Sequence, residues 1–132
     1  MNLQVIQISL QASLIASQRC LSDCERFAKA CLFHIGMGKD ETAYTFGLKQ
    51  ARECMAACEA FDYLVEAQDP NLFQACARSV KLFRDCVNIC YEFKADVDAV
   101  RCAHSCENFA TLLEYLAMMG PRELRFPQQE LG

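Results

Sequence analysis

Apolar residues recur along this chain at intervals of three and four, the period of an α-helix with one buried face. Leu3, Ile6, Leu10 and Leu14 begin such a stripe, and the same face continues as Cys20, Cys24, Phe27, Cys31 and His34. One helix over about 3–35 is the simplest reading. Gly36-Met37-Gly38 ends it, since glycines supply the backbone freedom that a helix C-terminus and tight turn need. A second stripe, Ala43, Gly47, Ala51, Cys54, Cys58, Phe61 and Val65, predicts a helix over about 40–68 whose first half is lined by small residues. Asp40 starts it and Glu41 suits its first turn. Asp69-Pro70 marks the next corner, because proline fits the first turn of a helix and disfavours helix in the residue before it. Leu72, Cys76, Val80, Phe83, Cys86, Val87, Cys90 and Phe93 then predict a third helix over about 70–93. A turn at Lys94 to Asp96, with Asp96 as N-cap, leads into a fourth over about 96–119, striped by Ala99, Cys102, Cys106, Phe109, Leu113 and Leu116. Gly120-Pro121 closes that helix, and the aperiodic stretch 121–132 reads as a tail or a partner-docking arm.

Inside these stripes one phrase occurs four times: Cys, three residues, Cys, two residues, Phe. Its copies are Cys20, Cys24, Phe27; Cys54, Cys58, Phe61; Cys86, Cys90, Phe93; and Cys102, Cys106, Phe109. Positions i, i+4 and i+7 share one helix face, so each copy stacks two thiols and a ring along a buried line. Four helices with one apolar face each bury it most simply around a common axis. The expected architecture is an all-α, antiparallel, up-down-up-down four-helix bundle over 1–120 with a cysteine-lined core. Aligned antiparallel, Cys31, Cys86, Cys90 and Cys102 fall near the end formed by the first and third turns. Cys106 and Cys24 follow, then Cys54, Cys20, Cys58 and Cys76, spread over roughly 20 Å at 1.5 Å per residue. The opposite end is expected to be plainly apolar, with Leu3, Ile6, Leu10, Leu64, Val65, Leu72, Leu112, Leu113 and Leu116.

A chain of 132 residues is long enough to bury a core as one domain, so its ten cysteines are not needed as covalent staples. Thirteen basic residues against 17 acidic, with no basic patch, argue against a nucleic-acid partner. No run approaches the roughly 18 apolar residues of a membrane span, and the first basic residue is Arg19, so the start lacks a signal peptide's charged n-region. A cytoplasmic location is expected. In that reducing setting, abundant cysteine points to metal or redox chemistry more than to disulfides. The CxxxC pairs are poor intrahelical disulfides in any case, because Cβ atoms at i and i+4 start about 5–6 Å apart.

Buried cysteine can be mere packing, since it behaves as a small hydrophobe. Ten cysteines at core-facing positions, eight of them in a repeated phrase, argue for chemistry instead. Sites made only of sulfur select soft ions, and Cu(I), satisfied by two or three thiolates, has the strongest claim. Zinc and iron–sulfur sites usually show CxxC spacings that are missing here. His34, three residues after Cys31, can cap or admit a metal, or it can simply interact with the helix dipole. His104 points away from Cys102 and Cys106 and reads as a surface residue. Met37 and Met55 read as loop and packing residues. No phosphate loop, G-x-S-x-G or H-E-x-x-H is present, so an enzyme is not expected.

With these residues in place, residues 1–120 resemble the copper storage proteins, in their cytosolic type. The resemblance rests on the four CxxxC pairs along inward faces, the added Cys31 and the mouth-side His34. It implies storage of several Cu(I) ions on thiolates and assembly as a homo-oligomer, a tetramer of bundles. By position, Cys20, Cys24, Cys54, Cys58, Cys86, Cys90, Cys102 and Cys106 would be the main ligands, with Cys31 and Cys76 extending the column and His34 at its mouth. Phe27, Phe61, Phe93 and Phe109 stand where fuller members often carry another cysteine, which implies a smaller ion count. Two other readings fit the residues: a non-enzymatic helical interaction module with cysteines as core filler, and a thiol redox sensor forming cross-helix disulfides.

Overall fold

The computed structural model describes residues 3–131, with side chains described for 4–120. Among the described residues the chain is helical, with no strand: α1 (Leu3–Gly36), α2 (Glu41–Glu66), α3 (Leu72–Cys90), a single 3₁₀ turn (Tyr91–Phe93) and α4 (Val97–Leu131). α1 and α3 each pack against both α2 and α4, while the backbones of the diagonal pairs stay apart and only their inward side chains meet on the axis, which is the ring of an up-down-up-down bundle. The predicted fold class holds, and all four helix starts and the first three helix ends fall within three residues of the predicted boundaries.

Short turns enforce the antiparallel order, and local chemistry builds each one. At the end of α1 the Lys39 amide donates to the His34 carbonyl and the Gly38 amide to the Ile35 carbonyl, with Gly38 at φ +68°. This is a Schellman closure with glycine in the left-handed position. α2 ends in the same way, from Asp69 to Leu64 and from Gln68 to Val65, but here a glutamine takes the left-handed φ of 53°. Asp69 Oδ1 accepts from the Asn71 amide across Pro70. Asp96 Oδ1 accepts from the Asp98 amide at 2.9 Å, so Asp96 caps α4 as expected. Asp40 precedes α2 at φ 44° without any side-chain cap bond.

The fourth helix departs from expectation, because it runs on past Gly120-Pro121 to Leu131. Gly120 is not a stop. A Cβ there would lie 1.8 Å from the Phe73 ring, so glycine serves a close helix–ring approach. Proline forfeits one backbone bond, but Arg122, Glu123, Leu124 and Arg125 all favour helix. The side chains of 121–132, and with them any docking arm, lie outside the described residues, as does the side chain of Leu3.

Every expected inward cysteine and phenylalanine is buried. At the end opposite the α1–α2 turn, Ile6, Leu72, Leu113 and Leu116 are buried and Leu10, Leu64, Val65 and Leu112 pack partly against them. The stripe of α2 needs one correction: Ala43 is exposed and Tyr44 is buried in its place. The small residues of α2 do not leave a void either. A Cβ on Gly47 would meet Phe27 Cζ at 3.2 Å and Cys31 Sγ at 3.4 Å, so the ring and the thiol already occupy that space.

Phe109 is fully buried, edge-on to Phe61 at 5.2 Å and to Phe83 at 5.0 Å between centroids. It therefore joins α2, α3 and α4. Phe109→Ala is expected to cost about 3–5 kcal/mol of stability, read from denaturant unfolding of the reduced protein. A loss below about 1 kcal/mol would mean that this ring layer does not hold the bundle together.

Candidate metal centre

The repeated phrase has a direction, and the antiparallel fold gives that direction a consequence. α1 and α3 run toward the end that carries the α1–α2 and α3–α4 turns, so their phrases send Phe27 and Phe93 toward that end, 5.7 Å apart. α2 and α4 run the other way and send Phe61 and Phe109 to the opposite side, 5.2 Å apart. Phe83, three residues before Cys86, joins the second pair. Two ring layers therefore bracket the paired cysteines.

Between the layers the thiols of different helices meet. Cys24 Sγ lies 3.6 Å from Cys102 and 3.7 Å from Cys106, and Cys20 lies 3.7 Å from Cys106. Within helices, Cys20–Cys24 is 3.9 Å, while Cys86–Cys90 and Cys102–Cys106 are 4.0 Å. Cys86 is also 4.0 Å from Cys102. Three triads result, each with its sulfurs within 4.8 Å of one another: Cys20, Cys24, Cys106; Cys54, Cys86, Cys106; and Cys86, Cys90, Cys102. Cys106 belongs to two of them, and so does Cys86. All ten cysteines are free and buried.

The remaining expected ligands belong to none of these triads. Cys58 sits beside Cys20 and Ser17, and the Ser17 hydroxyl donates to the Cys58 carbonyl at 3.3 Å. Cys31 lies against Gly47, on the turn side of Phe27. Cys76 lies beyond the far ring layer, lining a cavity of about 50 Å³ with Phe61, Phe83 and Leu113. His34 is half-buried with its ring stacked on Tyr44 at 4.3 Å, and its Nε2 is 3.7 Å from Asp96 Oδ2. His104 and Met37 are exposed, as read, and Met55 packs on the core. Tyr44 and Asp96 are the site residues that sequence reasoning missed. The signal for Tyr44 was its place three residues before Gly47, on the same face.

Burial and mutual contact divide the thiols electrostatically. Desolvation pushes Cys76 up to about 12, and Cys31 likewise, with the nearby charge of Asp96 adding to the effect. Inside the cluster, S–H donation stabilises certain thiolates. Donation from Cys106, then Cys24, holds Cys102 down to about 6, and Cys86 and Cys20 are also lowered, chiefly by Cys102 and by Cys106. The donors resist ionising in turn: Cys24, Cys90 and Cys106 are raised, first by Cys102, and Cys58 by Cys20. The first protons leave such a cluster easily and the last with difficulty. An arriving soft cation would replace protons as the charge that holds these sulfurs together.

A family model described as copper storage protein matches residues 6–117. No curated protein and no solved structure matches the chain.

Cys76 offers a clean pH test because it sits away from the cluster. Its folded-state value exceeds the ordinary 9.0, so its contribution to stability is complete below pH 9 and is lost as pH rises through about 12. Denaturant midpoints measured across that window should fall less steeply for Cys76→Val than for the parent. Equal slopes would mean that Cys76 does not titrate in a buried setting.

Proposed function

The chain belongs to the copper storage protein family, and from that premise we propose that it stores several Cu(I) ions per chain on the thiolates of its bracketed cluster. The observation that carries the reading is the set of three sulfur triads joined through Cys86 and Cys106. An ion centred among Cys20, Cys24 and Cys106 would lie about 2.2 Å from each sulfur, close to the 2.3 Å of a zinc–thiolate bond. Three neutral-to-anionic sulfurs, with no oxygen or nitrogen among them, suit a soft monovalent ion. Shared sulfurs favour growth into one polynuclear cluster over separate mononuclear sites.

Each ligand then has a graded role. Cys20, Cys24, Cys54, Cys86, Cys90, Cys102 and Cys106 form the cluster, and Cys58 borders it through Cys20. Cys31 and Cys76, outside the ring layers and hard to ionise, bind late. His34 serves the entrance at the Gly36–Gly38 end. The protein is non-enzymatic, resides in the cytoplasm and works as a homo-oligomer, a tetramer of bundles by likeness to the family. Among the described residues no helix is long and apolar enough to cross a membrane.

The test is an anaerobic Cu(I) titration of fully reduced protein against a chromogenic chelator, with metal counted per chain. Several tight equivalents are expected. Cys86→Ser combined with Cys90→Ser should remove more than one of them because Cys86 belongs to two triads, whereas Cys76→Ser should leave the count nearly unchanged. No uptake against a weak competitor would overturn the storage reading.

A further inference from the structure

The end of the bundle that carries the α1–α2 and α3–α4 turns is the short route from solvent to the thiols. At the opposite end a layer of Phe61, Phe83 and Phe109 is backed by Leu72, Leu113 and Leu116, all buried. Yet the short route is closed. His34 from α1, Tyr44 from α2 and Phe93 from the 3₁₀ turn form a continuous ring stack across it. Tyr44 is in the middle, 4.3 Å from His34 at an interplanar angle of 18° and 4.5 Å from Phe93 at 28°. Phe93 continues the stack to Phe27 at 5.7 Å. Beneath these rings Cys31 and Cys90 have essentially no solvent exposure, and Tyr44 itself is only 8% exposed.

The rings are fastened unequally. Phe93 is bounded on both sides by chain, with Cys90 ending α3 before it and Asp96, which caps α4, just after. His34 lies in the last turn of α1, where its carbonyl accepts from Lys39, and its imidazole faces Asp96. Tyr44 lies in the first turns of α2, behind a left-handed Asp40 with no side-chain cap bond. Its amide bond to the Asp40 carbonyl, at 3.0 Å, is one of the first bonds of that helix. Helix ends open locally far more often than a core unfolds, and an uncapped end opens most readily. Opening this turn would withdraw one ring from between two others.

We propose that Tyr44 is the access residue of the thiol core: its ring is a shutter between His34 and Phe93 that must leave the stack before an ion reaches Cys31 and Cys90. As a control on copper traffic the proposal rests on the storage reading above, but as a property of the thiols it does not. The shutter sets the rate of entry and release and leaves the capacity to the cluster. The phenol hydroxyl is not required, so phenylalanine should serve as well.

Pulse alkylation of the apo, reduced protein with iodoacetamide, followed by mass mapping of the labelled cysteines, tests this without copper. Tyr44→Ala should label Cys31 and Cys90 at least about tenfold faster than the parent, with Cys76, behind the far ring layer, unchanged; Tyr44→Phe should match the parent. Phe93→Leu, which shortens the other side of the stack, should accelerate the same two cysteines and decides the matter if Tyr44→Ala does not fold. Unchanged labelling of Cys31 and Cys90 would overturn the proposal. Equal acceleration of Cys76 would overturn it too, since that signals general loosening. Stopped-flow Cu(I) transfer should then be faster in Tyr44→Ala at an unchanged number of equivalents. Faster alkylation with no copper uptake would leave the shutter standing and remove the storage reading.

Discussion

The structure depends on one directional phrase being written on four helices that alternate in direction. Each copy places two thiols and then a ring in the order of the chain. On parallel helices the rings would gather at one end. On antiparallel helices they separate, Phe27 with Phe93 and Phe61 with Phe109, and the thiols they follow are pressed together between them. The helical period puts sulfur on the axis. The alternation of helices makes a closed compartment of it.

That compartment is built from groups that pack without bonding. The rings do the apolar work, burying large areas and locking three helices at Phe109. The thiols fill the space between at distances of 3.6 to 4.0 Å, near contact yet unlinked. Specific polar contacts tie the outer faces: Ser105 donates to Asp23 between α4 and α1, Gln50 to the Leu82 carbonyl between α2 and α3, and Arg84 makes a two-pronged contact with Glu114 between α3 and α4. The exposed pair adds little stability but favours one register. Register matters because triads that draw sulfurs from different helices exist only if those helices do not slip.

Much of this was legible in the residues. The four helices, the direction of every phrase cysteine and the aliphatic far end follow from the helical period alone, because burial of a repeated face leaves few alternatives. What was not legible depends on the third dimension. The drift of 3.6 residues per turn hid the exchange of Ala43 for Tyr44, since both lie near the edge of the α2 stripe. Gly120 reads as a breaker until Phe73 is seen beneath it. Cys76 counts as one more sulfur in the column until the ring layer of Phe61, Phe83 and Phe109 is set between it and the cluster. Grouping of thiols across helices needs vertical register, which sequence spacing specifies only within a helix.

Placing rings where further thiols could stand exchanges capacity for enclosure. An open sulfur column would offer more ligands, but each would be closer to water, oxidants and competing ligands at some point along its length. Here the far layer and the stacked rings at the turn end leave the cluster no exposed sulfur, and a closed apolar shell strengthens every interaction between a bound cation and its thiolates. The same shell would trap the cargo if both ends were equally firm. They are not: the far layer is made of side chains from helix interiors, whereas Tyr44 belongs to the first turns of a helix that begins without a side-chain cap. Tight holding and timely release make opposite demands on one cavity. Under the storage reading the two demands would fall on opposite ends, holding on the ring layer drawn from within α2, α3 and α4 and opening on the ring carried by the first turns of α2.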